Sequence, residues 1–179
     1  MKILYSNNQT NAKSTIWPHI FEWINDQFEP FCDILDLGSG AHIWHATNSR
    51  MTRIDHFKRK IESYQKDFVL GDLNYGIPLS NKTIDYAVAV EVIEHLENPL
   101  FFLREIKRVV KKKAIITCPN GIESGWYTPW TYTFFGHVTI LSDWLLENHF
   151  KRAGLEVLEK KYDSENEEIV LFLIRTDLT

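Results

Sequence analysis

Five short apolar runs constrain the fold of this chain more than any other feature. They are DILDLG (33–38), MTRID (51–55), DFVLGD (67–72), TIDYAVAVE (83–91) and KAIITC (113–118). Each is strand length. TIDYAVAVE is apolar on both faces, as expected of a strand buried on two sides rather than one. Between the runs lie helical patterns: a polar stretch at 57–66, and NPLFFLREIKRVVK at 98–111. In the latter, Asn98 can cap and Pro99 suits the first helical position. Leu100, Leu103, Ile106, Val109 and Val110 form its apolar stripe. Strand–helix units of this length predict a parallel sheet with helices on both faces and right-handed crossovers.

The two ends of the chain depart from this rhythm. Residues 12–29 carry Ile16, Ile20, Phe21, Trp23, Ile24 and Phe28 at helical intervals, with Pro18 near the start. They predict an amphipathic helix within an N-terminal cap over residues 1–30. SDWLLENHFKRAG (142–154) predicts a helix capped by Ser142 and stopped by Gly154. LEVLEKKY and EIVLFLIR then flank a polar turn at 163–168, the pattern of an antiparallel hairpin at a sheet edge. The expected fold is α/β, a Rossmann-like doubly wound, mostly parallel sheet with a C-terminal antiparallel hairpin. No repeat or linker divides residues 1–179, so a single domain is expected.

Charge narrows the function classes. Net charge is −4 at pH 7, which argues against nucleic acid or an anionic membrane as the main partner, since those surfaces require clustered Lys and Arg. Lys111, Lys112 and Lys113 form the one basic knot and are expected in a solvated turn. Two distant cysteines, Cys32 and Cys118, give no disulfide framework. No apolar stretch approaches a membrane span or a signal-peptide core, so a cytoplasmic location is expected.

In open α/β sheets, ligands bind beyond the carboxyl ends of the strands. Here the first strand carries Asp36 and ends in Gly38, Ser39 and Gly40. Glycines allow a tight turn and close approach, and a following helix offers free N–H groups to an anion. No GK[ST] follows, so this is not a P-loop. Ile43 holds the third position of GxGxxG, so the dinucleotide fingerprint is incomplete. Alone, the motif suits a plain strand-to-helix turn equally well. Asp55 ends the second strand, where an acid can accept both hydrogen bonds of a ribose diol or simply cap the next helix. Asp72 ends the third and can meet an exocyclic amine or serve a turn. Glu91, Glu94 and His95 follow the fourth. Together, three acids and a glycine loop at successive strand ends point to an adenosine-containing ligand.

ILDLGSGA, the strand end at Asp55, GDL, IDYAVAVEVIEHLENPLFFLREIKRVVK and AIITCPN resemble, in this order, the motifs of class I S-adenosylmethionine-dependent methyltransferases. The resemblance spans residues 33–175 and is to the small-molecule branch, which includes quinone-biosynthesis and cell-surface-sugar methyltransferases. It implies a seven-stranded sheet with a terminal hairpin, and S-adenosylmethionine as cofactor with S-adenosylhomocysteine as product. It implies that Asp36, Gly38, Ser39 and Gly40 border the methionine part, and that Asp55 holds the ribose. Asp72 and Leu73 would flank the adenine, with Val90 and Glu91 beside the reactive methyl. The chain departs from the family in three places. His42 replaces a third small residue, the segment from Gly40 to Asp55 is about a helical turn short, and lysines replace a Pro-Gly-Gly turn before the fifth strand.

The loop at 120–137 follows the fifth strand, where the family's acceptor site lies. Asn120, Trp126, Tyr127, Trp130 and Tyr132 are candidate acceptor residues within an aromatic loop at 120–140. Aromatics stack on sugars and on aromatic rings alike; they also suit a homodimer contact or a core. A hydroxyl acceptor benefits from a base, and His95 and His137 are the candidates for that catalytic role. His42 and His45 are three apart but have no evident third ligand, so no metal is expected. The expected function is methyl transfer to an oxygen or nitrogen of a sugar or aromatic metabolite. A methyltransferase-like module without turnover and an NAD-dependent oxidoreductase are the competing classes.

Overall fold

A computed structural model describes residues 18–39, 44, 46, 48–56, 67–120, 136–163 and 169–177. Helix α1 spans Pro18–Asp26, β1 Asp33–Leu37, β2 Arg50–Asp55, β3 Phe68–Leu70 and β4 Ile84–Val90. A single 3-10 turn, Ile93–His95, leads to α2 (Pro99–Val109) and β5 (Val110–Pro119). Helix α3 (Asp143–Ala153), β6 (Glu156–Tyr162) and β7 (Ile169–Arg175) complete the order. The expected helix at 57–66 lies outside the described residues, as do 12–17 of the first helical segment.

The seven strands lie in the order β3-β2-β1-β4-β5-β7-β6. Strands β1 to β5 pair in parallel, while β7 runs antiparallel to β5 and to β6. The apolar runs work as two-sided strands. On β1, Ile34 enters the layer under α1 with Trp44 and Met51, while Leu35 and Leu37 enter the layer under α2 and α3 with Phe102, Leu146 and Phe150. On β4, Tyr86 and Val88 face the first layer, and Ala87 and Ala89 the second. A strand covered on both faces has no solvated side to mark with polar residues, hence the unbroken runs.

The caps follow the sequence. Asn98 accepts the Phe101 N–H at 3.0 Å, with Pro99 at the first helical position. Ser142 accepts the Leu145 N–H at 3.3 Å. Gly154 ends α3 at φ +72°. The lysines do not. They begin β5 instead of forming a solvated turn, because α2 ends at Val109 and the strand starts at Val110 with no residue between. Lys111 pairs with Asp85 at 3.1 Å, and Lys112 pairs with Glu29 and lies over the Tyr86 ring. Among the described residues, no helix is long and apolar enough to cross a membrane.

Candidate cofactor and acceptor site

The last rung of β1 pairs Leu37 with Ile54 on β2 and with Ala89 on β4. One residue further, Gly38, Asp55 and Val90 therefore stand level at the carboxyl edge. Chain order reverses between β1 and β4, and such a reversal opens the crevice in which α/β sheets bind ligands. Gly38 turns at φ +66°, and its N–H and that of Ser39 both donate to the Ile54 carbonyl, at 2.8 and 3.3 Å. A Cβ on Gly38 would stand 2.6 Å from Val92 Cγ2, so Val92 forms the floor of the turn. Ser39 is buried, and its Oγ has no hydrogen-bond partner among the described residues.

Asp36 lies beneath this turn, buried and in register with Arg53. The Arg53 Nε is 3.8 Å from Asp36 Oδ2, and its guanidinium also donates to the Trp44 carbonyl at 2.8 Å. Burial pushes the Asp36 carboxyl up to about 7, against the pull of Arg53 and the nearby Trp44 indole. Arg53 escaped sequence reading, although a lone cation inside the run MTRID was its signal.

Asp55 ends β2 almost fully buried, with His56 Nδ1 3.3 Å from its carboxylate. Asp72 is exposed beyond β3, and its Oδ1 accepts the Asn74 N–H at 2.9 Å in a turn. Leu73 packs into the core among the residues under α2 and α3.

After β4 the backbone is strained. Glu91 sits at φ +53°, a conformation costing a non-glycine residue on the order of 1–3 kcal/mol. Thr117 of β5 holds it there. Its hydroxyl accepts the Glu91 N–H at 3.1 Å and donates back to Glu91 Oε1 at 2.9 Å. Burial pushes the Glu91 carboxyl up to about 7 despite that bond. Nothing in the sequence marks Thr117, an ordinary β-branched strand residue. Glu94 follows, fully buried, with neither carboxylate oxygen hydrogen-bonded among the described residues, and its pKa is raised by burial and by the Glu91 charge.

A strap over residues 136–142 closes on this turn. Val138 and Thr139 both donate their N–H groups to the Glu94 carbonyl at 3.0 Å, and the Thr139 hydroxyl donates to the Leu96 carbonyl at 2.6 Å. His95 Nδ1 lies 3.1 Å from the Gly136 carbonyl, and the His95 and His137 rings meet edge to face at 4.8 Å. Burial and the neighbouring His95 lower the His137 pKa. Asn120 is buried just past β5. Gly40, His42, His45, Trp126, Tyr127, Trp130 and Tyr132 lie outside the described residues.

Residues 35–118 match the family model described as a methyltransferase domain. This segment, just under half of the chain, is similar to that domain. The matched segment runs from β1 to β5 and so carries the Gly38 turn, Asp55, Asp72 and the Glu91 turn. Among solved structures, a chain from the complex of the Haloferax volcanii Trm112 methyltransferase activator with its methyltransferase is 16% identical, with TM-score 0.72, over 89% of this chain and 90% of that one. A SAM-dependent methyltransferase from Aquifex aeolicus is 18% identical, with TM-score 0.65, over 87% and 88%. The [4+2]-cyclase SpnF is 13% identical, with TM-score 0.72, over 90% and 82%. At these identities the likeness is one of fold, and a fold hosts more than one reaction. No curated protein matches the chain.

Proposed function

We propose that this chain transfers the methyl group of S-adenosylmethionine to an oxygen or nitrogen of a small sugar or aromatic acceptor. The observation carrying this reading is the row of Gly38, Asp55 and Val90 at the switch point, with the strained Glu91 turn beside it. The residues fit the cofactor: Ser39 offers a buried hydroxyl without a hydrogen-bond partner among the described residues, and Asp55 a nearly buried carboxylate at the end of β2.

The bound cofactor supplies an activated, electrophilic methyl group, so the protein's tasks are orientation, exclusion of water and handling of the acceptor's proton. Asp36, Gly38, Ser39 and, outside the described residues, Gly40 would border the methionine part. Asp55 would accept both hydrogen bonds of the ribose diol. Asp72 and Leu73 would flank the adenine, with Val90 and Glu91 beside the methyl. Asn120 and, outside the described residues, Trp126, Tyr127, Trp130 and Tyr132 are the proposed acceptor residues. His95 and His137 stand on the acceptor side, where the proton of a hydroxyl must be dealt with.

Calorimetric titration tests the cofactor half of the reading. S-adenosylmethionine and S-adenosylhomocysteine should bind at micromolar levels and NAD should not. Asp55→Ala should weaken binding by about 100-fold or more, the loss of two charge-assisted hydrogen bonds. Binding without turnover of any labelled sugar, phenol or amine acceptor would instead support a non-catalytic module, and a preference for NAD would overturn the assignment.

A further inference from the structure

The amino edge of the sheet, opposite the edge that carries Gly38, Asp55 and Glu91, holds a second concentration of charge. An open cleft of about 550 Å³ lies there, between the turn before β4, the last turns of α2 and the end of α3. Lys82, Arg104, Lys107 and Arg108 line it, against a single carboxylate, Asp177. The chain as a whole has net charge −4, so the cleft runs against the overall sign of the molecule. Lys82 and Glu91 flank β4 at opposite ends. The strand has seven residues, roughly 20 Å of extended chain, which sets the cleft apart from the cofactor crevice.

The four cations differ in what they have left to offer. Arg108 is committed: its guanidinium donates to Glu105, to Asn81 and to the Ile77 and Leu79 carbonyls, and so fastens the wall. Lys107 lies across the end of α3 and donates to the Gly154 carbonyl at 2.9 Å, which leaves two of its N–H groups. Lys82 donates to the Val110 and Thr176 carbonyls at 2.7 and 3.1 Å, which leaves one. Its backbone is held at φ +51°, with its N–H on the Arg108 carbonyl at 2.9 Å, so the turn presenting this ammonium group is fixed. Arg104 is exposed on α2 and has no hydrogen-bond or ion-pair partner among the described residues. Asp177 pairs instead with Arg175, at 3.9 Å. Partial burial lowers the Lys82 pKa and the Lys107 charge lowers it further, against the pull of Asp177. Two ammonium groups that repel each other, anchored by carbonyls rather than by carboxylates, are steadied by an anion beside them.

We propose that this cleft binds a sugar phosphate, its phosphate held by Arg104, Lys107 and Lys82. A lining of donors selects a ligand made of acceptors. A guanidinium fork beside two ammonium groups matches the several charged oxygens of a phosphate dianion. The volume lies in the range of small-ligand clefts and exceeds what the phosphate fills, so the remainder takes the esterified group. Ala153 is the one apolar residue of the lining, so that group is polar, as a sugar is. The net negative charge of the chain opposes a nucleic-acid strand, which needs a longer basic track. The site goes beyond the methyl-transfer reading and does not rest on it.

Calorimetric titration of the full chain with ribose 5-phosphate, glucose 6-phosphate and inorganic phosphate tests the site. One sugar phosphate per chain should bind with a Kd of about 1 mM or tighter, more tightly than inorganic phosphate. Arg104→Gln and Lys107→Gln should each weaken binding at least about tenfold, the loss of a charge-assisted hydrogen bond. Lys161→Gln, which removes a positive charge from β6 at the other edge of the sheet, should leave it unchanged. Arg104 has no partner to lose, so its variant keeps the fold, and thermal melting checks Lys107→Gln, which loses its bond to Gly154. Absence of stoichiometric binding, binding unaltered in Arg104→Gln, or an equal loss in Lys161→Gln overturns the site. Inorganic phosphate binding as tightly as both esters overturns the assignment of a sugar phosphate. The titrations are repeated with saturating S-adenosylhomocysteine. Undiminished binding is expected, and competition would overturn the placement by putting the phosphate in the crevice at the opposite edge. Failure to bind S-adenosylhomocysteine itself bears on the methyltransferase reading alone.

Discussion

Replacing Gly38 with alanine should destabilise the protein through two separable effects. The backbone at φ +66° lies in the left-handed region, where a side chain costs about 1–2 kcal/mol. The new Cβ would also stand 2.6 Å from Val92 Cγ2 and 3.1 Å from Cγ1, an overpacking contact costing about 1–3 kcal/mol in a well-packed core. The sum is roughly 2–5 kcal/mol, or a melting temperature lower by roughly 4–20 °C for a domain of this size. A double-mutant cycle separates the parts. Val92→Ala alone should cost about 1–3 kcal/mol as a buried large-to-small change. It should also remove the clash, so the double variant should be less destabilised than the sum of the singles by about 1–3 kcal/mol. Thermal and urea unfolding of all four proteins gives the coupling. Strict additivity, or a Gly38→Ala cost below about 0.5 kcal/mol, would refute the account of Val92 as the floor of the turn.

Three further outcomes follow from the site. Asp36 has its carboxyl pushed up to about 7, whereas in the unfolded chain it titrates near 3.8. The folded protein keeps a proton that the unfolded chain releases, so this group's contribution to stability falls as pH rises from about 4 to about 7 and then levels off. Asp36→Asn should therefore gain stability relative to the wild type across that window, up to about 1 kcal/mol per pH step, and parallel urea-denaturation profiles would refute the burial of a protonated carboxyl. Thr117→Val keeps the shape but leaves the Glu91 N–H and carboxylate unpaired, an expected loss of about 1–3 kcal/mol in urea unfolding and a Glu91 pKa raised further. Asn98→Ala removes the α2 cap and should cost about 0.5–2 kcal/mol, measured the same way.

The legible parts of the sequence were those in which one local rule decides the outcome. The unbroken runs of β1 and β4 marked two-sided burial, Asn98-Pro99 and Ser142 marked helix starts, and the hairpin stood out by its polar turn. The lysine run misled because charge alone suggests a turn. In the structure each lysine stem lies along a strand, with Asp85 and Glu29 within reach of Lys111 and Lys112. Those partners are 26 and 83 residues away in sequence, so no local window could pair them.

The same distinction separates the two halves of the site. Each proposed cofactor residue stands at or just past a strand end, so counting strands places Gly38, Asp55, Asp72 and Glu91 there. On the acceptor side the decisive facts are contacts between elements. His95 meets the Gly136 carbonyl from 41 residues away, and Thr117 holds Glu91 from 26. The segment EVIEHL displays its acids openly, but nothing in it tells that Glu94 is fully buried, without a hydrogen-bond partner among the described residues, while His95 beside it stays exposed. That contrast arises because a single 3-10 turn directs adjacent side chains to different sides. Glu94 is carried beneath the strap, and His95 is left at its edge facing His137.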